Sequence, residues 1–260
     1  MSEQQKPREQ RFVLWFDELR NTDVPLVGGK SASLGEMTSA AGVPVPFGFA
    51  TTAAAYEYFI EHTGLHKRIQ EILARLVDPE DSRMLQSVGS ELRETVRGME
   101  MPAELAQAFA EAYRDLTRRV QATGATGEPF VAVRSSATAE DLPDASFAGQ
   151  QETYLNVIGQ DMVVRMIRDC YASLFTDRAI SYRDAKGFDH MQVALSVGVQ
   201  QMVRSDIGGS GVMFSIDTES GWDKVVLINA AWGLGENVVQ GAVTPDEFQV
   251  FKPFLSDPAR

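Results

Sequence analysis

The spacing of apolar and polar residues divides the chain into helical stretches first and strand-rich stretches later. Residues 12–16 read as a short apolar strand. Residues 33–41 carry apolar positions at helical spacing and stop at Gly42, with Ser33 and Glu36 placed as a capping box. Pro44 and Pro46 then hold the chain extended toward Phe49. Thr51 or Thr52 caps a helix that shows Tyr56, Phe59 and Ile60 on one face. The spacing predicts three further helices over 65–76, 82–97 and 102–120, with Pro102 suited to a first helical turn.

After a Gly-rich link at 123–128 the pattern changes. Residues 130–133 are an apolar strand, and 152–157 alternate like another. Residues 162–175 form an amphipathic helix that continues over 177–183. A long strand over 192–203 is followed by dense turn chemistry, Ser205-Asp206-Ile207-Gly208-Gly209-Ser210-Gly211, and a strand at 212–216. The pair reads as a hairpin. Strands at 225–229 and 248–251 complete the pattern. The expected organisation is a disordered lead-in at 1–11, an N-terminal subdomain at 12–195 and an incomplete, strand-rich second subdomain at 196–260.

Composition narrows the class. The 260 residues suffice for one large domain or two subdomains, and the 44% apolar content supports a real core. No apolar run approaches membrane-span length, and the polar start MSEQQKPREQR lacks a signal-peptide core. A cytoplasmic location and no membrane partner are therefore expected. The net charge of −12 argues against a nucleic-acid surface. The lone Cys170 leaves no internal disulfide. An acidic chain that binds a phosphate compound must gather its cations locally, which directs attention to individual lysines and arginines.

Two segments do so. Val131-Ala132-Val133 delivers Arg134 into a run of small and hydroxyl residues, Ser135, Ser136, Ala137 and Thr138, that continues through Pro143, Ser146 and Gly149. A fixed guanidinium beside small residues with accessible N–H groups suits a polyphosphate. An arginine ion-paired beside a polar surface loop suits the same residues equally. In the second segment, Gly28 and Gly29 precede Lys30 just ahead of a helical pattern. Glycines admit a close ligand and a helix start favours anions. A Walker A loop is excluded, because Val24 stands where its first glycine belongs. Gly233-Leu234-Gly235 is likewise no dinucleotide fingerprint, since Val238 takes the third glycine position.

The motifs VGGKSASLGEM, GVPVPFGFATT, VAVRSSATAEDLPDASFAGQQETYLNV and AAWGLGENVVQGAVTPDEF, taken together, resemble the nucleotide-binding part of the phosphoenolpyruvate-utilising dikinase family, and within it the phosphoenolpyruvate synthases (pyruvate, water dikinases). The likeness runs from about Phe12 to Lys252. Pyruvate, phosphate dikinase and rifampicin phosphotransferase belong to the same wider group. The resemblance implies an α/β (α+β) fold of the ATP-grasp-like type. It implies ATP as ligand, and a β-phosphoryl group passed to a histidine on another domain and then to pyruvate. Water is consumed, and AMP and phosphate are released, as suits gluconeogenesis. Partners would be the phosphohistidine and pyruvate-binding domains of the same chain.

The same resemblance assigns roles. Lys30 and Arg134 would neutralise β- and γ-phosphate oxygens and act as the catalytic pair. Gly28, Gly29, Ser135, Ser136 and Thr138 would line the phosphates, and the loop from Ser135 to Gly149 would cover them. Val199-Gln200-Gln201-Met202-Val203 matches the segment where adenine sits, with Met202 as a wall and the backbone of Gln201 and Val203 on the purine edge. Glu236 would hold the ribose hydroxyls; Gln240 and Asn229 are weaker candidates, since a structural amide role suits both. His62, His66 and His190 lack the Gly-Gly-x-Thr-x-His setting of the family's carrier histidine and receive no catalytic role. The family uses Mg²⁺, but its acidic strand and Gln-x-Arg-Pro segment have no counterpart here, so no metal ligand is named. The expectation is a shortened domain, inactive by itself, whose open second sheet favours a homodimer. A sister dikinase, an antibiotic phosphotransferase or a non-catalytic nucleotide-binding regulator remain as alternatives.

Overall fold

Short apolar runs from distant parts of the chain meet in one antiparallel sheet. The computed structural model describes residues 6–138, 141–142, 145–146 and 152–255, with backbone alone at 141–142 and 145–146. The chain divides into two compact units, Met1–Met202 and Val203–Arg260. The strand Leu195–Gln201 belongs with the first.

In the first unit β1 (Val13–Trp15), β2 (Gly48–Thr51), β3 (Val131–Ala137), β6 (Thr153–Val157) and β7 (Leu195–Gln201) form a sheet in the order β1-β2-β7-β3-β6. Two rows across it explain the architecture. Trp15, Phe49, Val199, Val133 and Tyr154 lie opposite one another. So do Leu14, Ala50, Gly198, Arg134 and Thr153. Side chains alternate between faces of a strand, so the two rows point opposite ways.

The first row faces a helical layer. It comprises α2 (Ala53–His62), α3 (Leu65–Leu73), α4 (Ser82–Arg97), α5 (Ala103–Gln121), α6 (Gln160–Ala172) and α7 (Asp177–Lys186). Phe49, Val133, Val197 and Val199 join Phe59, Phe109, Tyr113 and Ile167 in one core. Helix α5 shows why the pattern was readable: Leu105, Ala108, Phe109, Ala112, Tyr113, Leu116 and Val120 are its buried stripe. Each fully buried Leu or Phe contributes about 1.5–3 kcal/mol. Caps set the starts. Thr52 Oγ1 accepts from the Ala55 N–H at 3.2 Å, and Asp81 Oδ1 accepts from Arg83 N–H at 2.9 Å and Met84 N–H at 3.2 Å.

The second row faces α1 (Val24–Ser39), which packs on β7 and β3. A smaller core of Leu14, Phe16, Leu19, Val27, Ala32 and Ala50 lies there. The helix starts earlier than the sequence suggested and breaks at Gly28, whose φ of 71° and ψ of 164° are non-helical. The Ser33–Glu36 capping box is therefore not formed. Ser33 is inside the helix, and Glu36 Oε2 instead accepts from the Asn21 N–H at 3.0 Å.

Three further expectations are corrected. Ser135, Ser136 and Ala137 are strand and not loop, paired with Val197, Ser196 and Leu195. Small side chains let them be buried inside the sheet. Beyond Thr138 the expected covering loop lies largely outside the described residues; the backbone of β4 (Asp141–Leu142) pairs with β5 (Ala145–Ser146). Nor is there a hairpin of 192–203 with 212–216. Leu195, Val197 and Val199 bury in the core only between β2 and β3, which takes β7 away from the next strand. Part of the expected lead-in, Arg8–Gln10, is a 3-10 turn in which Arg8 Nη2 donates to Asp23 Oδ2 at 2.7 Å and to the Glu18 carbonyl at 2.8 Å.

The second unit is a sheet ordered β10-β9-β8, from β8 (Gly209–Phe214), β9 (Val225–Trp232) and β10 (Asp246–Phe251). The short α8 (Gly235–Val239) packs on β8 and β9. Val225 and Leu227 are buried, and Phe251 lies 5.9 Å from Trp222 and 4.9 Å from Phe254. The fold is thus α+β with all paired strands antiparallel among the described residues.

Candidate functional site

The α1 side of the sheet holds a narrow crevice of about 20 Å³, room for about one water molecule. Lys30, Ser31 and Leu34 line it from α1. Arg134, Ser135 and Ser136 line it from β3, Gly198 and Gln200 from β7, and Phe16 from the turn after β1. Two residues separated by about a hundred positions, Lys30 and Arg134, thus share one wall-to-wall space. Among the described residues that line it, none is a carboxylate. In a chain of net charge −12, two cations lining one crevice with no acid among its described residues are a local reversal of sign that suits an anion.

Local chemistry explains how the cations are held. Arg134 is exposed in the middle of β3, opposite Gly198 on β7 and Thr153 on β6. A side chain at Gly198 would approach the Ser31 hydroxyl at 3.4 Å, so glycine leaves α1 close to the sheet. Lys30 is half-buried in the first turn after the Gly28 break. Gly28 is obligatory there: a Cβ would come within 2.3 Å of Ser136 Oγ and 2.4 Å of its carbonyl, at a backbone angle that L residues rarely adopt. The Ser31 N–H donates to Ser136 Oγ at 3.4 Å, and both residues are about 1% exposed.

These contacts revise several sequence-based roles. Gly28 permits close approach of the helix to Ser136, and neither Gly28 nor Gly29 lines the crevice. The N–H and Oγ of Ser135 both donate to the Glu152 carbonyl, at 3.1 and 3.4 Å, so that amide is not open to a phosphate. Thr138 Oγ1 donates to the Ala194 carbonyl at 3.1 Å, beyond the crevice. The amide of Gln201 donates to Phe47 O and that of Met202 to Phe130 O, each at 2.8 Å, so neither is left for a purine edge. Met202 Sδ also accepts from the Asn156 N–H at 3.0 Å. Strand pairing consumes backbone donors wherever a reader of sequence sees an open loop.

Val203, Glu236, Gln240 and Asn229 belong to the second unit. Val203 is 69% exposed. Gln240 Nε2 donates to Glu236 Oε1 at 2.8 Å on the surface of α8, and Asn229 is paired with Val212 and Glu247 within the sheet. The sequence reading missed Phe16, Ser31, Leu34, Gly198 and Gln200. Period-two alternation could have found Gln200, because Ser196, Gly198 and Gln200 share the face opposite Val197 and Val199.

The histidines take other parts. His62 stacks on Tyr58 at 3.6 Å and its Nδ1 is 3.0 Å from the Tyr58 carbonyl. His66 is exposed near the start of α3. His190 Nδ1 accepts from Arg183 Nε at 3.0 Å; burial, then the adjacent guanidinium, hold its pKa below the ordinary value. Burial also pushes the Cys170 thiol well up, which leaves it inert. Among the described residues no group of three or more His, Cys, Asp or Glu is placed to hold a metal, and no helix is long and apolar enough to cross a membrane.

Comparison with known proteins bears on this geometry. Residues 24–256 match the model of the pyruvate phosphate dikinase, AMP/ATP-binding domain. The chain is 54% identical over 251 residues to phosphoenolpyruvate synthase of Aquifex aeolicus, covering 95% of this chain and 29% of that protein. It is 57% identical over 254 residues to that of Synechocystis sp., covering 96% and 31%, and 55% identical over 248 residues to that of Escherichia coli, covering 94% and 30%. The chain therefore spans about 30% of the length of the curated relatives it matches.

Proposed function

Because the chain belongs to the pyruvate phosphate dikinase AMP/ATP-binding domain family, we propose that it is the ATP-binding part of a phosphoenolpyruvate synthase. The complete enzyme would convert ATP, pyruvate and water to phosphoenolpyruvate, AMP and phosphate, through a phosphohistidine on another domain of the same chain. The observation that carries this reading is the crevice shared by Lys30 and Arg134, with no acidic side chain among its described lining residues. Catalysis of phosphoryl transfer is mainly positioning and charge neutralisation, and two cations lining one crevice suit both. Lys30 would act as a compact point charge and Arg134 as a two-pronged donor.

The crevice must widen to admit a triphosphate, since about 20 Å³ holds no phosphate group. Met202 would wall the base, and Val203 backbone would meet its edge. Glu236, with Gln240 hydrogen-bonded to it, would take the ribose hydroxyls. The family implies Mg²⁺, but the described lining residues are cations, hydroxyls, an amide and apolar groups, a donor set that does not fit a hard divalent cation. No step is assigned to a metal here. A cytoplasmic location and a homodimer belong to the same reading.

Titration of residues 1–260 with ATP and with adenosine tests it. ATP should bind more tightly than adenosine, because the phosphates meet the cations. Incubation with ATP, Mg²⁺ and pyruvate should yield no AMP. Equal affinities would remove the crevice from the phosphate site, and AMP from these residues alone would show that the transfer machinery has been misplaced.

A further inference from the structure

Lys30 sits between two residues that touch one side chain on the sheet. Gly28, two positions before it, leaves no room for a Cβ against Ser136, and Ser31, immediately after it, gives its N–H to Ser136 Oγ. Ser136 is two residues along the same strand face from Arg134. We propose that Ser136 is a positioning residue that sets the spacing between Lys30 and Arg134, and that its hydroxyl does not contact the nucleotide. This deepens the ATP-binding reading and rests on it.

The Ser136 hydroxyl is about 1% exposed and already accepts a hydrogen bond from α1. Its distance of 3.4 Å is long, so the close backbone packing at Gly28 has to share the task of holding the helix. Two like charges directed at one crevice repel, and their separation is kept only if the elements carrying them are tied together. Such a tie has value when an anion arrives, since preorganised charges need not rearrange. The break at Gly28 frees the first turn from the axis of the preceding residues, so the tie at Ser31 decides where that turn lies.

A double-mutant cycle tests this on residues 1–260. Ser136→Ala should weaken ATP about tenfold, which corresponds to about 1.4 kcal/mol, and leave adenosine affinity unchanged. In a Lys30→Met background the same change should alter ATP affinity by less than about twofold, because no lysine remains to be misplaced. Amide exchange at Ser31 should quicken in Ser136→Ala while exchange in α5 stays as it was. An equal loss in both backgrounds would make Ser136 a direct nucleotide contact and overturn the proposal. So would equal losses for ATP and adenosine, or no loss. Unchanged exchange at Ser31 would overturn the tie itself, whatever the nucleotide does. If the unmutated chain preferred adenosine or bound no ATP, the function reading would fall and this inference with it, while the exchange result would still report on the tie.

Discussion

The two faces of the five-stranded sheet are built from the same strands and serve opposite ends. One face presents Phe49, Val133, Val197 and Val199 to a helical layer, and all four are fully buried. The other presents Ala50, Gly198, Ser136 and Arg134 to a single helix. The apolar face supplies most of the burial and fixes the register, because a slip by one residue would turn Arg134 into the core. The other face buries a smaller core, and its small residues let a helix come near enough to share a crevice. Rigidity on one side is what makes precision affordable on the other.

The largest effect expected on this comparison is at Phe49. Its ring is fully buried and meets Trp15 edge-on at 5.7 Å. Phe49→Ala should lower stability by about 3–5 kcal/mol, the range for large-to-small core changes. Denaturant unfolding measures it. ATP affinity of the folded fraction should change little, and a selective loss of ATP binding would erase the division between the faces.

Arg134 is the mirror case. It is exposed and lies on the other face, so Arg134→Ala should alter stability by no more than about 0.5 kcal/mol. ATP affinity should fall by about 1.5–3 kcal/mol, the worth of a hydrogen bond to a charged group. Calorimetric titration beside thermal unfolding separates the two. A large drop in melting temperature with unchanged ATP affinity would make Arg134 a structural ion-pair residue.

The contrast also explains what the sequence could disclose. The helical layer was legible because a stripe such as Leu85, Val88, Leu92 and Val96 repeats at a period only a helix satisfies. Lys30 and Arg134 were legible as isolated cations among small residues, and the crevice unites them. The capping box at Ser33, the hairpin after β7 and the open loop at Ser135 were misread for one shared reason. Each depends on which distant strand or helix a segment meets, and Ser135 and Ser136 look like loop residues until Val197 and Ser196 are placed opposite them. Small residues are ambiguous because they mark both turns and tight packing. Gly28 is an instance: the sequence suggests room for a ligand, while the space is filled by Ser136.

The smallest effect concerns the other kind of arginine in the molecule. Arg134 faces a crevice, whereas Arg183 is 1% exposed within the helical layer. Burial draws the Arg183 guanidinium down to about 10, so it remains charged at neutral pH. Its Nη2 donates to the Leu174 carbonyl and its Nε donates to His190 Nδ1. That last bond requires Nδ1 to be unprotonated. Burial, then Arg183, depress the His190 pKa, against opposing attraction from Asp184 and Asp189. A histidine with a depressed folded pKa binds fewer protons folded than unfolded as pH drops below the ordinary value of 6.5. Stability from this pair is therefore present above pH 6.5 and is lost as pH falls through the folded pKa. His190→Gln keeps an acceptor but cannot titrate, so its stability should vary less between pH 7 and pH 5 than that of the unmutated chain. Unfolding of both across that range decides it: parallel pH profiles would mean that His190 is protonated equally in both states and that Arg183 is held without it.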